Sequence, residues 1–125
     1  MDFSRIYLIA MMAGIGGAVG GAFAGGFVAA VRCDGGLECL GTAILGVGLG
    51  AIIVESVSMA VAAHIANQRQ GNLFASLLIT LLLAVPIPFL LLPGFTGVLV
   101  FPLFFFQVWA CVKIQTRPAG KRRRA

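Results

Sequence analysis

One carboxylate stands inside a long apolar run. Glu55 is the only charged residue between Leu40 and Ala63. If lipid surrounds that run, an ionised carboxylate there costs on the order of 2.5 to 3.5 kcal/mol on insertion scales. It must therefore face a protein interior, hold a proton or find a partner. Ser56 and Ser58 are nearby hydroxyls able to share its hydrogen bonds, Ser58 lying one turn further on. The single histidine, His64, projects from the opposite side of the same helix, about 13 Å along its axis. Glu55 and Ser58 thus have two uses open to them: an ion or proton site, or an interhelical hydrogen bond that fixes packing.

Other chemistry finds little support. A lone histidine without a positioned nucleophile or carboxylate is a poor catalyst, and no HExxH, GxSxG, Walker or dinucleotide glycine motif occurs. Neither enzymatic activity nor a cofactor or metal is expected. Cys33 and Cys39 flank Asp34-Gly35-Gly36-Leu37-Glu38, a spacing unlike a CxxC redox or zinc pattern. Gly35-Gly36 lets the chain fold back, so the pair could be a disulfide in an oxidising compartment or two free thiols at helix ends. Cys111, deep in an apolar stretch, is expected to be a small filler.

The elements that must position these residues follow from the apolar patterning. Hydrophobic residues make up 60% of the 125, charged ones only 10%, and the mean hydropathy is +1.05. A water-soluble fold of this size could not hide so much apolar surface. A hydrocarbon core about 30 Å thick needs roughly 20 apolar residues in a helix. Four stretches serve: residues 6–31, 40–63, 73–92 and 95–112. They are continuous and lack the alternation of a barrel wall. The expected fold is all-α, an integral membrane four-helix bundle over residues 1–116 with a basic tail at 117–125. A cleaved signal peptide ending near Ala22-Phe23-Ala24 is the competing explanation for the first stretch. Arg5 offset by Asp2, and an apolar run longer than a signal core, favour an uncleaved helix. Pro93-Gly94 marks a tight turn, and Pro86, Pro88 and Pro102 should kink or locally unwind the last two helices.

Basic residues fix the orientation. With cytoplasmic termini, Arg5, Arg69, Lys113, Arg117, Lys121, Arg122, Arg123 and Arg124 lie inside and only Arg32 outside. Tyr7 and Trp109 then sit near the cytoplasmic interface. The run Lys121 to Arg124 could contact anionic lipid headgroups, at about 1 kcal/mol per charge, or act only as a topology signal. Nucleic acid is not an expected partner, because no folded soluble domain accompanies the tail.

Small residues recur every fourth position in the first segment. Gly17, Gly21 and Gly25 form one row, extended by Ala13, and Gly16, Gly20 and Ala24 form another. Gly46 and Gly50 repeat the spacing in the second segment. Such rows let backbones approach closely and gain dispersion contacts that lipid cannot match. They could join the first two segments within one chain, or serve a homo-oligomer or a larger membrane complex.

The stretch from Glu55 to Asn72, above all His64-Ile65-Ala66-Asn67 followed by Gly71-Asn72-Leu73, resembles a pattern in uncharacterised small bacterial multi-pass membrane proteins. There a helix carrying Gly or Glu ends in a His-x-x-Asn turn, followed by Gly-Asn and another apolar helix. The resemblance implies a bacterial source, hence the inner membrane, and no mechanism. In size and helix count the chain is also similar to small multidrug exporters and fluoride channels. The exporters carry their essential Glu in the first helix, and this first helix has none. The expected role is a structural or accessory membrane subunit, with a small transporter or channel using Glu55 as the alternative.

Overall fold

The computed structural model describes residues 2–87 and 96–117, and the elements there are all helical. Helix α1 spans Phe3–Val31, α2 Leu37–Ala66, α3 Leu73–Ala84 and α4 Val100–Thr116, the last preceded by a 3-10 turn at Thr96–Leu99. Helices α1 and α2, of 29 and 30 residues, are each long and apolar enough to cross a membrane. At about 1.5 Å per residue each is about 44 Å long. Both extend three residues beyond each expected limit except at Val31, because the flanking residues add backbone hydrogen bonds to the ends of the apolar runs.

The turns explain why the helices stop where they do. Gly35 and Gly36 have φ of 98° and 109°, a region that side chains disfavour, and they reverse the chain within five residues of Val31. The second turn is sharper in chemistry. Asn72 caps α3 by accepting from the Ala75 backbone N–H at 3.1 Å, satisfying one of the unpaired amides of the first turn.

The expected local unwinding is present at Pro86, where Val85-Pro86 form a turn, but not at Pro102. The third segment, expected to run to Leu92, leaves the helix at Ala84, two residues before Pro86. Pro86 can offer no N–H to the helix ladder, and its ring crowds the carbonyl four residues back. Pro102 does not kink the fourth helix. It is the third residue of α4, where an N–H has no intrahelical partner to lose, so it sits within the helix start. That helix begins five residues later and ends four residues later than its expected limits. Pro88, the Pro93-Gly94 turn and the tail residues Lys121 to Arg124 lie outside the described residues.

Helices α1 and α2 form a long antiparallel hairpin, and theirs is the most extensive interface in the fold. Helices α3 and α4 pack on the half of it nearest the termini. There Ile6 and Ala10 of α1, Met59, Ala63 and Ala66 of α2, and Val108, Cys111 and Val112 of α4 make one buried cluster. Polarity runs opposite to that of a water-soluble protein. Phe23, Phe27, Leu37, Phe74 and Leu82 lie on the outside, whereas Glu55, Ser56, Ser76, Thr80, Gln107 and Gln115 are buried.

Candidate functional site

Two sets of side chains could carry function, one between α1 and α2 and the other between α3 and α4. The first is the glycine seam. Gly17, Gly21 and Gly25 of α1 face Gly46, Gly50 and Val54 of α2, so close that an added methyl on Gly21 would overlap the Gly50 carbonyl. One on Gly25 would overlap the Gly46 carbonyl, and one on Gly46 would lie 2.6 Å from the carbonyl oxygen of Gly25. Repeats of four bring every such position to one helix face, which is why the seam is continuous. Gly16 and Gly20, on the other row, meet nothing within 4 Å. Ser58 closes the inner end of the seam, its hydroxyl shared between the carbonyls of Ala13 at 2.9 Å and Glu55 at 3.0 Å.

The second set is a polar interior. On α3, Ser76 and Thr80 stand four apart, as do Gln107, Cys111 and Gln115 on α4, so the two antiparallel helices present facing polar rows. Gln107 Nε2 donates to the Thr80 carbonyl at 3.1 Å, and Ser76 Oγ lies 3.0 Å from Cys111 Sγ. Cys111 is thus hydrogen-bonded as well as buried, and is more than a filler. Thr80 Oγ1 returns to its own helix, donating to the Ser76 carbonyl at 3.0 Å.

At the end of this interior nearest the termini, four residues converge on Gln115. His64 Nδ1 lies 3.3 Å from Gln115 Oε1, and Gln115 Nε2 donates to the Asn72 carbonyl at 3.4 Å. Asn67 Nδ2 donates to the Gln115 carbonyl. Gly71 leaves the space that the Gln115 amide fills, since a methyl there would overlap its Oε1. The turn between α2 and α3 is therefore a clasp that ties the hairpin to α4.

Glu55 and Ser56 sit higher on α2, away from the clasp. Glu55 keeps 6% of its accessible surface, and its Oε1 has no hydrogen-bond partner among the described residues. The expected sharing with the serines is corrected here. Ser58 reaches the backbone carbonyl of Glu55 and not its carboxylate, while the Ser56 hydroxyl has no partner among the described residues. Ser58 points toward α1, and only the direction of each side chain around the helix separates these two outcomes.

Cys33 and Cys39 are joined at the opposite end of the hairpin, with Cα atoms 5.5 Å apart, within the span of disulfides. Among the described residues no three His, Cys, Asp or Glu side chains gather as a metal site. Sequence reasoning missed Ser76, Thr80, Gln107 and Gln115. Their spacing of four on two neighbouring helices was the available signal. No protein-family model, curated protein or solved structure matches the chain.

Proposed function

We propose that the chain is an integral membrane protein, a four-helix bundle with both termini cytoplasmic, in the inner membrane of a bacterium. Its role is structural or accessory, as a subunit of a larger membrane assembly. One observation carries the membrane placement: large apolar side chains cover the outside while hydroxyls, amides and a carboxylate fill the inside. In lipid that arrangement is favourable on both counts, since polar groups gain partners only inside. Arg5, Arg69, Lys113 and Arg117 belong to the cytoplasmic end and Arg32 to the other, which agrees with the bias of basic residues toward the cytoplasm. Lys113 rests 6.0 Å over the ring of Trp109, an arrangement suited to an interface.

The accessory role is supported by an outward face with room for neighbours. Gly16 and Gly20 are open, and Phe23 and Phe27 continue along the exposed surface of α1. A tagged chain should stay in carbonate-washed membranes, expose its C-terminus only to the cytoplasmic side, and bring down a stoichiometric partner in mild detergent. A chain that remained monomeric in water would remove the membrane placement, and a lone monomer from native membranes would remove the accessory role. Transport is the second reading, favoured by the buried oxygen of Glu55 that lacks a partner among the described residues. Under it, proteoliposomes should show a pH-dependent cation flux that Glu55→Gln abolishes.

A further inference from the structure

We infer that the outer half of the α1–α2 hairpin seats one phospholipid with a zwitterionic, primary-amine headgroup, its acyl chain lying in a groove between the two helices. The groove measures about 470 Å3, and its walls include Val28 and Arg32 of α1 and Thr42, Leu45 and Leu49 of α2. No described residue of α3 or α4 lines it. Those helices stand on the half of the hairpin nearest the termini, where the buried apolar cluster lies. The glycine seam forms the floor. Because Gly21, Gly25, Gly46 and Gly50 carry no side chains, the two backbones touch and leave a furrow beside the contact.

Its dimensions match one acyl chain of one leaflet. From Gly21 to Arg32 the groove runs about 17 Å along α1, at about 1.5 Å per residue, against about 15 Å for half of a hydrocarbon core. Spread over that length, its volume leaves a cross-section of about 28 Å2, whereas a helix about 10 to 12 Å across needs about 80 Å2 or more. A second copy or a partner helix is therefore too wide to lie in it. A hydrocarbon chain is not, and Val28, Leu45 and Leu49 give it apolar walls.

The mouth of the groove selects the headgroup. Arg32 lines its outer end, and Glu38 stands one turn beyond Thr42, whose hydroxyl donates to the Glu38 carbonyl at 3.0 Å. Cys33 and Cys39, the chain neighbours of Arg32 and Glu38, have Cα atoms 5.5 Å apart, so the Cα atoms of the two charged residues lie within about 13 Å of each other. A headgroup between them meets both signs. The Arg32 guanidinium donates to the phosphate, and the Glu38 carboxylate accepts from the ammonium. A quaternary ammonium has no hydrogen to donate to that carboxylate. An anionic headgroup would face a turn in which Asp34 and Glu38 outnumber Arg32.

The test is native mass spectrometry of the full chain in detergent, titrated with phosphatidylethanolamine, phosphatidylcholine or phosphatidylglycerol of identical acyl chains. One phosphatidylethanolamine should bind per chain, about tenfold more tightly than either of the others. Arg32→Gln should weaken it about tenfold, and Glu38→Gln should bring it down to the level of phosphatidylcholine. Ala24→Phe, which fills the groove from an exposed position, should abolish binding while leaving Tm without added lipid unchanged. Should that variant fail to fold, Leu45→Trp fills the groove from the opposite wall. Equal binding of the three lipids by the wild-type chain overturns the site, whatever the variants do. So does a lipid that stays on a folded chain with the groove filled, or a dimer seen in place of the lipid complex. The groove holds a lipid only if the hairpin crosses a bilayer, and carbonate extraction reads that premise by itself. A chain that stays in washed membranes yet binds no phosphatidylethanolamine refutes the site and leaves the membrane placement standing.

Discussion

The two ends of α2 hold their neighbours by opposite means. Along Gly46 and Gly50, α2 meets α1 backbone to backbone, with no side chain able to come between. From Met59 to Asn67 it meets α4 through a buried apolar cluster closed at its end by the imidazole of His64 and the amide of Asn67. The seam tolerates no added volume but has no polar group to leave stranded. The interior tolerates some change of volume but penalises every lost partner. In lipid neither region can rely on water to drive association, so shape serves one and hydrogen bonding the other.

The comparison is broken most directly by adding volume to the seam. Gly21→Leu should destabilise the hairpin by more than about 3 kcal/mol, since the side chain must displace the Gly50 backbone. Gly16→Leu, on the open row, should change stability by less than about 0.5 kcal/mol. Equal effects on unfolding in detergent would show that the two rows do not differ. In the polar region the largest effect belongs to Gln115→Ala, which strands partners on His64 and Asn72 at a cost of about 2 kcal/mol, while the Asn67 bond to the backbone carbonyl stays. A change of similar size with Gln115→Glu, which keeps the acceptor for His64 but loses the donor to Asn72, would locate the effect in that second bond.

The turn pair sharpens the contrast at the opposite end. Closing the short loop from Cys33 to Cys39 should contribute about 2 kcal/mol by the chain-entropy account. Alkylation of unreduced protein should leave these two thiols unmodified by mass, and double labelling would contradict the bridge. The smallest effect is at the α3 cap. Asn72→Ala should cost about 1 kcal/mol, through the single bond to Ala75. No loss in thermal unfolding would mean that the clasp alone holds the turn.

Much of the seam was legible in the sequence, because a repeat of four small residues is a property of one helix and needs no knowledge of its neighbour. Gly17, Gly21 and Gly25 are read as a face from spacing alone. Glu55 also stood out, as a charge in an apolar run. What could not be read was the direction of its contacts. Ser56 and Ser58 are two residues apart, and only packing decides that Ser58 turns to Ala13 while Ser56 is buried with no partner among the described residues. The amides were harder still. Gln107 and Gln115 become a site only when α4 is set against α3 in a register that pairs Thr80 with Gln107 and Asn72 with Gln115, and that register is tertiary. Pro102 illustrates the same limit. A proline in an apolar run reads as a break, but within the first turn of a helix it breaks nothing.

Spin labels placed at Phe23, Ile44 and Leu82, three outward positions, in a Cys111→Ser background would report the solvent around them. Reconstituted in bilayers, all three labels should collide more often with oxygen than with a water-soluble nickel chelate. Preferential quenching by the chelate at these sites would mean that water surrounds the apolar exterior, contradicting a bundle built with its polar groups inside and lipid outside.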